Sequence, residues 1–265
     1  MSKRESAVAG TFYPSECQKI KEYISHFDSI TNEEVLKQYD TFARAVIVPH
    51  AGYVYSGFTA NLAYKIASQR KDIRRIIIIG PSHRVGFQGA SIAQYDTYES
   101  PCGHLAIDTV FSRKLEAKYD ILHFFEKAHH EHSTEVQVPL IQNYFSATPL
   151  VEIVYGDIDV KDLALIIDDL LEDSANFIVI STDLSHFFPK QKANKLDSIC
   201  LEAIDTLNID TWNKGCEACG RIGVKALLKS SNKYNLQSRL VDYRTSADIT
   251  NDDNSVVGYA SAVIG

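Results

Sequence analysis

"RRIIIIGPSH", residues 74–83, decides the fold. Four consecutive isoleucines give neither face of a strand a polar side, so the segment is predicted to lie in a sheet covered on both faces. Arg74-Arg75 on one side and the turn-forming Gly80-Pro81 on the other bound it at strand length. The residue behind the turn is unusual. His83 stands there either by chance or because the strand exists to hold it.

The surrounding chain repeats the pattern. "RAVIVPH" (44–50) is a short strand delivering His50, and "NFIVISTDLSH" (176–186) is a strand and loop delivering His186. Further strands are predicted at 150–156 and 255–264, and a strand pair, by alternation and turns, within 89–108. Helical spacing marks 15–27, with Ser15 as N-cap, and 57–71, 108–119, 160–173, 194–208 and 222–230. A further helix is expected at 133–145, with Pro139 near its first turn or kinking it. Strands alternating with helices, several of them continuous apolar runs, predict an α/β fold: three layers, α/β/α, around a central, largely buried mixed sheet. There is no internal repeat or Pro/Gly/Ser linker, so residues 1–265 are read as a single domain.

Composition narrows the function classes. A chain of 265 residues, 45% hydrophobic and 23% charged, can bury a full core. A formal charge of −7 leaves no electrostatic footprint for nucleic acid. The start, "MSKRESAVAG", has no apolar h-region, and no apolar run approaches the ~20 residues of a membrane span, so a cytoplasmic, membrane-free protein is expected. Five cysteines without a signal segment argue for reduced thiols, with Cys17, Cys102 and Cys200 read as small buried hydrophobes. Nine histidines stand against one Met and one Trp.

In open α/β sheets ligands gather beyond the carboxyl ends of the strands, so histidines at three such ends can converge. A divalent metal takes neutral imidazoles plus an anion. His50 and His83 supply the first; Asp183, Glu131, Glu135, Asp248 or a cysteine thiolate could supply the second. Cys216 and Cys219 form a single Cys-x-x-Cys, too little for a closed four-cysteine zinc site, and on oxidation they could pair. In "AHHEHSTEVQVP" (128–139), His129 and His130 read as solvated loop, while His132 and Glu135, three apart, share a helix face and could line a pocket. Tyr53 and Tyr55 flank the first histidine loop as packing or pocket residues, and Trp212 is read as structural.

Several blocks together carry a resemblance. "AVAGTFYP" (7–14), "VPHAGYVYSG" (48–57), "GPSH" (80–83), "EHSTEVQVP" (131–139), "STDLSH" (181–186), "CGRIGV" (219–224) and "VGYAS" (258–262) run in order along nearly the whole chain. The sequence resembles the Memo family, which includes the prokaryotic proteins called AmmeMemoRadiSam system protein B. That resemblance implies a fold similar to LigB-type class III extradiol dioxygenases, enzymes that hold non-haem iron by two His and one Glu. It places His50 and His83 at the imidazole positions, Cys219 at the third position in place of the glutamate, and His186, with Asp183 just before it, at the acid/base position. It implies copper or iron as cofactor, zinc being the alternative, and a radical-SAM operon partner beside an unknown small-molecule or peptide ligand. A thiolate is softer and more oxidisable than a carboxylate, so the ring-cleaving reaction does not carry over with the fold. The functions it leaves open are a metal-dependent oxidoreductase, a non-catalytic binding or adaptor protein, a radical-SAM accessory protein and a zinc metallohydrolase.

Overall fold

The computed structural model describes residues 2–37, 39 and 43–265. Four parallel strands form its middle, adjacent in the order Ala45–Val48, Asn176–Ser181, Arg75–Pro81, Leu150–Tyr155. Antiparallel strands extend them on both sides. Val256–Ile264 pairs with Ala45–Val48 and carries His186–Phe188 and Ser238–Thr245 beyond it. On the other edge, Ala90–Ile92 runs antiparallel to Leu150–Tyr155 and parallel to Leu122–His123. The sheet is mixed, as expected.

The four isoleucines show why it is buried. Side chains alternate across a strand, so Ile76 and Ile78 enter one core with Val46, Val48 and Val179, while Ile77 and Ile79 enter the other with Ile47, Ile178 and Ile180. All four are fully buried, each worth roughly 1.5–3 kcal/mol relative to exposure. Helices Cys17–Ser29, Phe58–Ala67 and Val138–Tyr144 cover the first face through Ile20, Ile24, Ala63 and Ile141. Helices Val160–Glu172, Lys190–Asp205 and Arg221–Lys233 cover the second through Leu163, Ile167, Ile204 and Leu227. This is the three-layer α/β/α arrangement. Among the described residues no helix is long and apolar enough to cross a membrane.

Some local expectations change. The strand pair within 89–108 divides between two sheets: Ala90–Ile92 joins the large one, while Thr97–Ser100 and Gly103–Ala106 form a hairpin to which Lys3–Arg4 adds a parallel strand. The helix expected at 133–145 is two, His132–Glu135 and Val138–Tyr144, with Pro139 in the first turn of the second, where its missing N–H costs nothing. Glu16, not Ser15, precedes the first helix.

The cysteines are the main correction. Cys17 is bridged to Cys102 and Cys200 to Cys216, with Cα–Cα distances of 4.7 and 4.8 Å, and only Cys219 is free. A helix start meets a hairpin turn 85 residues away, a meeting that spacing alone does not show. Since Cys216 is paired with Cys200, it is not available as a partner for Cys219. Thiol titration of the denatured protein without reductant should therefore find one reactive thiol per chain. Five would contradict both bridges.

Candidate metal centre

The carboxyl ends of the central strands share one rim, and the histidines meet there. Val48 leads through Pro49 to His50, and Pro81 through Ser82 to His83. His132 arrives from the helix that packs over the second strand, where Gly80 lets it approach: a Cβ on Gly80 would stand 2.7 Å from Ser133 Oγ. One ligand nitrogen from each of His50, His83 and His132 lies within 4.8 Å of the others. The ring centroids are 4.6–5.3 Å apart.

Hydrogen bonds assign the protons on these rings. Glu131, buried at the N-cap of helix His132–Glu135, accepts from the backbone N–H groups of His83 (2.6 Å) and His132 (2.8 Å). It also meets His132 Nδ1 at 2.7 Å and His83 Nδ1 at 3.3 Å. Burial alone would raise its pKa, but the bonds from His132 and His83 outweigh this and hold it far below the usual carboxylate range. An ionised carboxylate only accepts, so both Nδ1 atoms carry hydrogen.

His50 reaches the same state by a different route. Its Nδ1 lies 2.9 Å from Ser181 Oγ, whose own hydrogen is donated to the Ser133 carbonyl at 2.5 Å. Gln137 also donates to Ser181 Oγ, its amide oriented by the Pro49 carbonyl and by Tyr64. Ser181 can only accept from His50, so His50 too is protonated on Nδ1. In each ring Nε2 is thus the nitrogen turned away from these partners, with Cys219 Sγ beside that of His50. Burial, then the neighbouring His83 and His132, push the His50 pKa well below 6.5, so the ring is neutral.

Cys219 completes the floor. Its sulfur lies 3.3 Å from His50 Nε2 and accepts from the Asp183 N–H at 3.2 Å. Burial, with Asp183 adding to it, pushes this thiol up to about 12. Gly220 holds it in place by donating to Thr182 Oγ1 at 2.8 Å, so close that a Cβ would stand 2.5 Å from Thr182 Cβ.

The other candidates separate. Asp183 accepts the His50 N–H at 2.8 Å, and burial raises its pKa. His186 is half-buried and lowers the proton affinity of both His50 and Asp183, but stands outside the three-imidazole group. Glu135 turns the other way: its carboxylate binds Arg4 (2.6 Å), the N–H groups of Ala7 and Val8, and the Tyr13 hydroxyl, fastening the N-terminal segment. Tyr53 is core, donating to the Val136 carbonyl, whereas Tyr55 is exposed on a groove of about 260 Å³ shared with Phe12. Phe12 packs on His132 with 4.7 Å between ring centroids. Asp248 caps Thr245 instead. His129, read as solvated, is fully buried between Glu152 and Ser91, because the 3-10 turn Glu126–His129 drives it against the one acid in "LVEIVYG". Sequence reasoning missed Ser181 and Phe12; they lie within the quoted blocks "STDLSH" and "AVAGTFYP", but nothing in either block marks them as partners of a histidine ring.

The Memo-like protein family model matches residues 4–263. This chain belongs to the Memo family. It is 33% identical to a MEMO1 family protein of Aquifex aeolicus, with 99% of each chain covered. It is 34% identical to one of Thermoplasma volcanium (98% and 97% covered) and 30% to one of Methanocaldococcus jannaschii (98% of each). The three-histidine cluster of this Memo protein could hold a metal ion.

The low pKa of His50 has a thermodynamic consequence in metal-free protein. Below pH 6.5 the unfolded chain gains a proton that the folded ring refuses, so stability falls with pH by up to ~1.4 kcal/mol per unit. Urea midpoints between pH 7 and 5 should fall less steeply in His50→Gln. Equal slopes would contradict the assignment.

Proposed function

We propose that this Memo protein is a metal-dependent oxidoreductase whose metal ion is held by Nε2 of His50, His83 and His132, with Cys219 Sγ as a further donor. The observation that carries the reading is the convergence of three imidazoles whose Nδ1 atoms are already occupied as donors. Ring orientation fixed by such partners raises the basicity of the free nitrogen and sets where it points. When bound, the metal would supply Lewis acidity and, if copper or iron, electrons.

No carboxylate joins the group among the described residues, because Glu131 is engaged behind two of the imidazoles. In this reading His132 takes the third position with His50 and His83, in place of Cys219, whose sulfur lies 3.3 Å from His50 Nε2 as a further donor; the likeness to LigB-type dioxygenases stays an implication of the family resemblance. Imidazole and sulfur together suit copper or zinc as well as iron. His186 would move a proton to or from the bound substrate, with Asp183 supporting it electrostatically. A positioned acid/base gives about 10²–10⁴-fold.

The zinc hydrolase reading rests on the same three imidazoles, a donor set that also serves zinc-bound water. Glu135 is removed from that mechanism, since its oxygens are filled by the N-terminal segment. Oxygen uptake without ester hydrolysis would favour the oxidoreductase, and the reverse the hydrolase.

Elemental analysis of protein purified without chelator or oxygen is expected to give about one metal per chain, lost in His50→Ala and in His132→Ala. His186→Ala should keep its metal and lose turnover about 10²–10⁴-fold. Equal metal content in wild type and the two ligand variants would end the proposal.

A further inference from the structure

Away from the histidines, a cavity of about 300 Å³ opens directly over the Cys17–Cys102 bridge, and both cysteines line it. One face of helix Cys17–Ser29 forms a wall: Cys17, Ile20, Lys21 and Ile24 follow the i, i+3, i+4, i+7 spacing of a single stripe. Pro139 and Asn143 close the opposite side. The cavity therefore offers a disulfide, an apolar wall and one ammonium group. The second bridge differs. Cys200 is fully buried in helix Lys190–Asp205, packed with Leu184 and Ala260, and Cys216, itself half-buried, packs against the same cluster.

We propose that this cavity is a thiol-exchange site, in which a low-molecular-weight thiol carrying a carboxylate opens the Cys17–Cys102 bridge while Cys200–Cys216 stays closed. The chemical requirement is a path for the thiolate to one sulfur and a good leaving group in the other. The cavity supplies the path. Its walls fit a compact molecule with an apolar stem, and Lys21 fits its anionic end.

The leaving sulfur can be assigned. Cys17 is the first residue of a 13-residue helix, where unpaired N–H groups stabilise a thiolate, and Lys21 lies one turn further on the same face. Cys102 sits in the turn between Thr97–Ser100 and Gly103–Ala106, without such support. The incoming thiolate attacks Cys102 Sγ, the S–S bond breaks, and its electron pair leaves on Cys17, which takes a proton from water. A mixed disulfide remains on Cys102. A second thiol molecule attacking the small molecule's sulfur would release Cys102 as a thiolate and carry away the oxidised dimer of the thiol.

Opening the bridge frees the first turn of this helix from the hairpin. The same helix presents Tyr23 to the groove that Phe12 and Tyr55 line beside His132. The exchange site and the candidate metal centre are thus joined by one element, although the exchange chemistry does not depend on a metal being bound.

The test uses the folded, full-length protein under anaerobic conditions with thioglycolate as the anionic probe and cysteamine as a cationic one. Reactions are quenched in acid, remaining thiols are alkylated, and peptides are mapped by mass spectrometry. The adduct is expected on Cys102, with Cys17 alkylated and Cys200–Cys216 intact. Each rate is normalised to the same thiol acting on urea-unfolded protein. Lys21→Ala, a change at an exposed position, should slow thioglycolate roughly three- to five-fold, the scale of one nearby charge in water, and leave cysteamine unslowed. Equal opening of both bridges in the folded state, an adduct chiefly on Cys17, or equal effects of Lys21→Ala on the two probes would overturn the proposal.

Discussion

One buried carboxylate organises the rim of this molecule. Glu131 gathers the backbone N–H groups of His83, His132 and Ser133 and the imidazole Nδ1 atoms of His83 and His132, residues that come from different elements. It thereby joins the turn after Arg75–Pro81 to the start of helix His132–Glu135. An ionised carboxylate at this depth is tolerated only because its acceptor sites are filled. The outcome is two rings turned with their Nε2 atoms in the same direction. Ser181 does the same for His50 with a hydroxyl, its own hydrogen being committed to Ser133.

The rest of the fold holds these partners still. Residues 74–81 cross the middle of the sheet with isoleucines in both cores, so the turn carrying His83 is mounted on a strand that cannot slip without exposing apolar surface. His50 and Ser181 lie at the ends of neighbouring parallel strands with Val48 in register with Ser181. On the other face of helix His132–Glu135, Glu135 binds Arg4 and Tyr13, bringing Phe12 against the His132 ring. Two glutamates four residues apart thus fasten the helix in opposite directions, one toward the cluster and one toward the N-terminal segment.

Much of this is legible in the sequence, for identifiable reasons. Period-two burial on both faces is implied by an unbroken apolar run, so the sheet and its layers can be read from residues 74–79 and 176–181. The positions of His50 and His83 come from the rule that parallel strands end on one side. His132 can be placed only near the pocket, because its approach depends on Gly80 admitting a helix to the sheet. Glu131 is visible as an anion but not as a partner of imidazole hydrogens, a role set by distances that spacing does not contain. The bridges escape the sequence because both join segments whose proximity arises only on folding. His129 escapes it because Glu152 looks like a minor interruption in a strand, whereas it is a buried acid needing donors.

Everything about the cluster turns on which nitrogen of each ring carries hydrogen. Long-range proton–nitrogen correlation spectra of the metal-free protein, with the histidine side chains labelled in nitrogen-15, report this directly. The account requires His50, His83 and His132 each to carry hydrogen on Nδ1 in the folded, metal-free protein, with the His50 ring neutral. Hydrogen on Nε2 in place of Nδ1 in two or more of these rings would mean that the lone pairs face Glu131 and Ser181 instead, and the shared space would have no donor set to offer a metal.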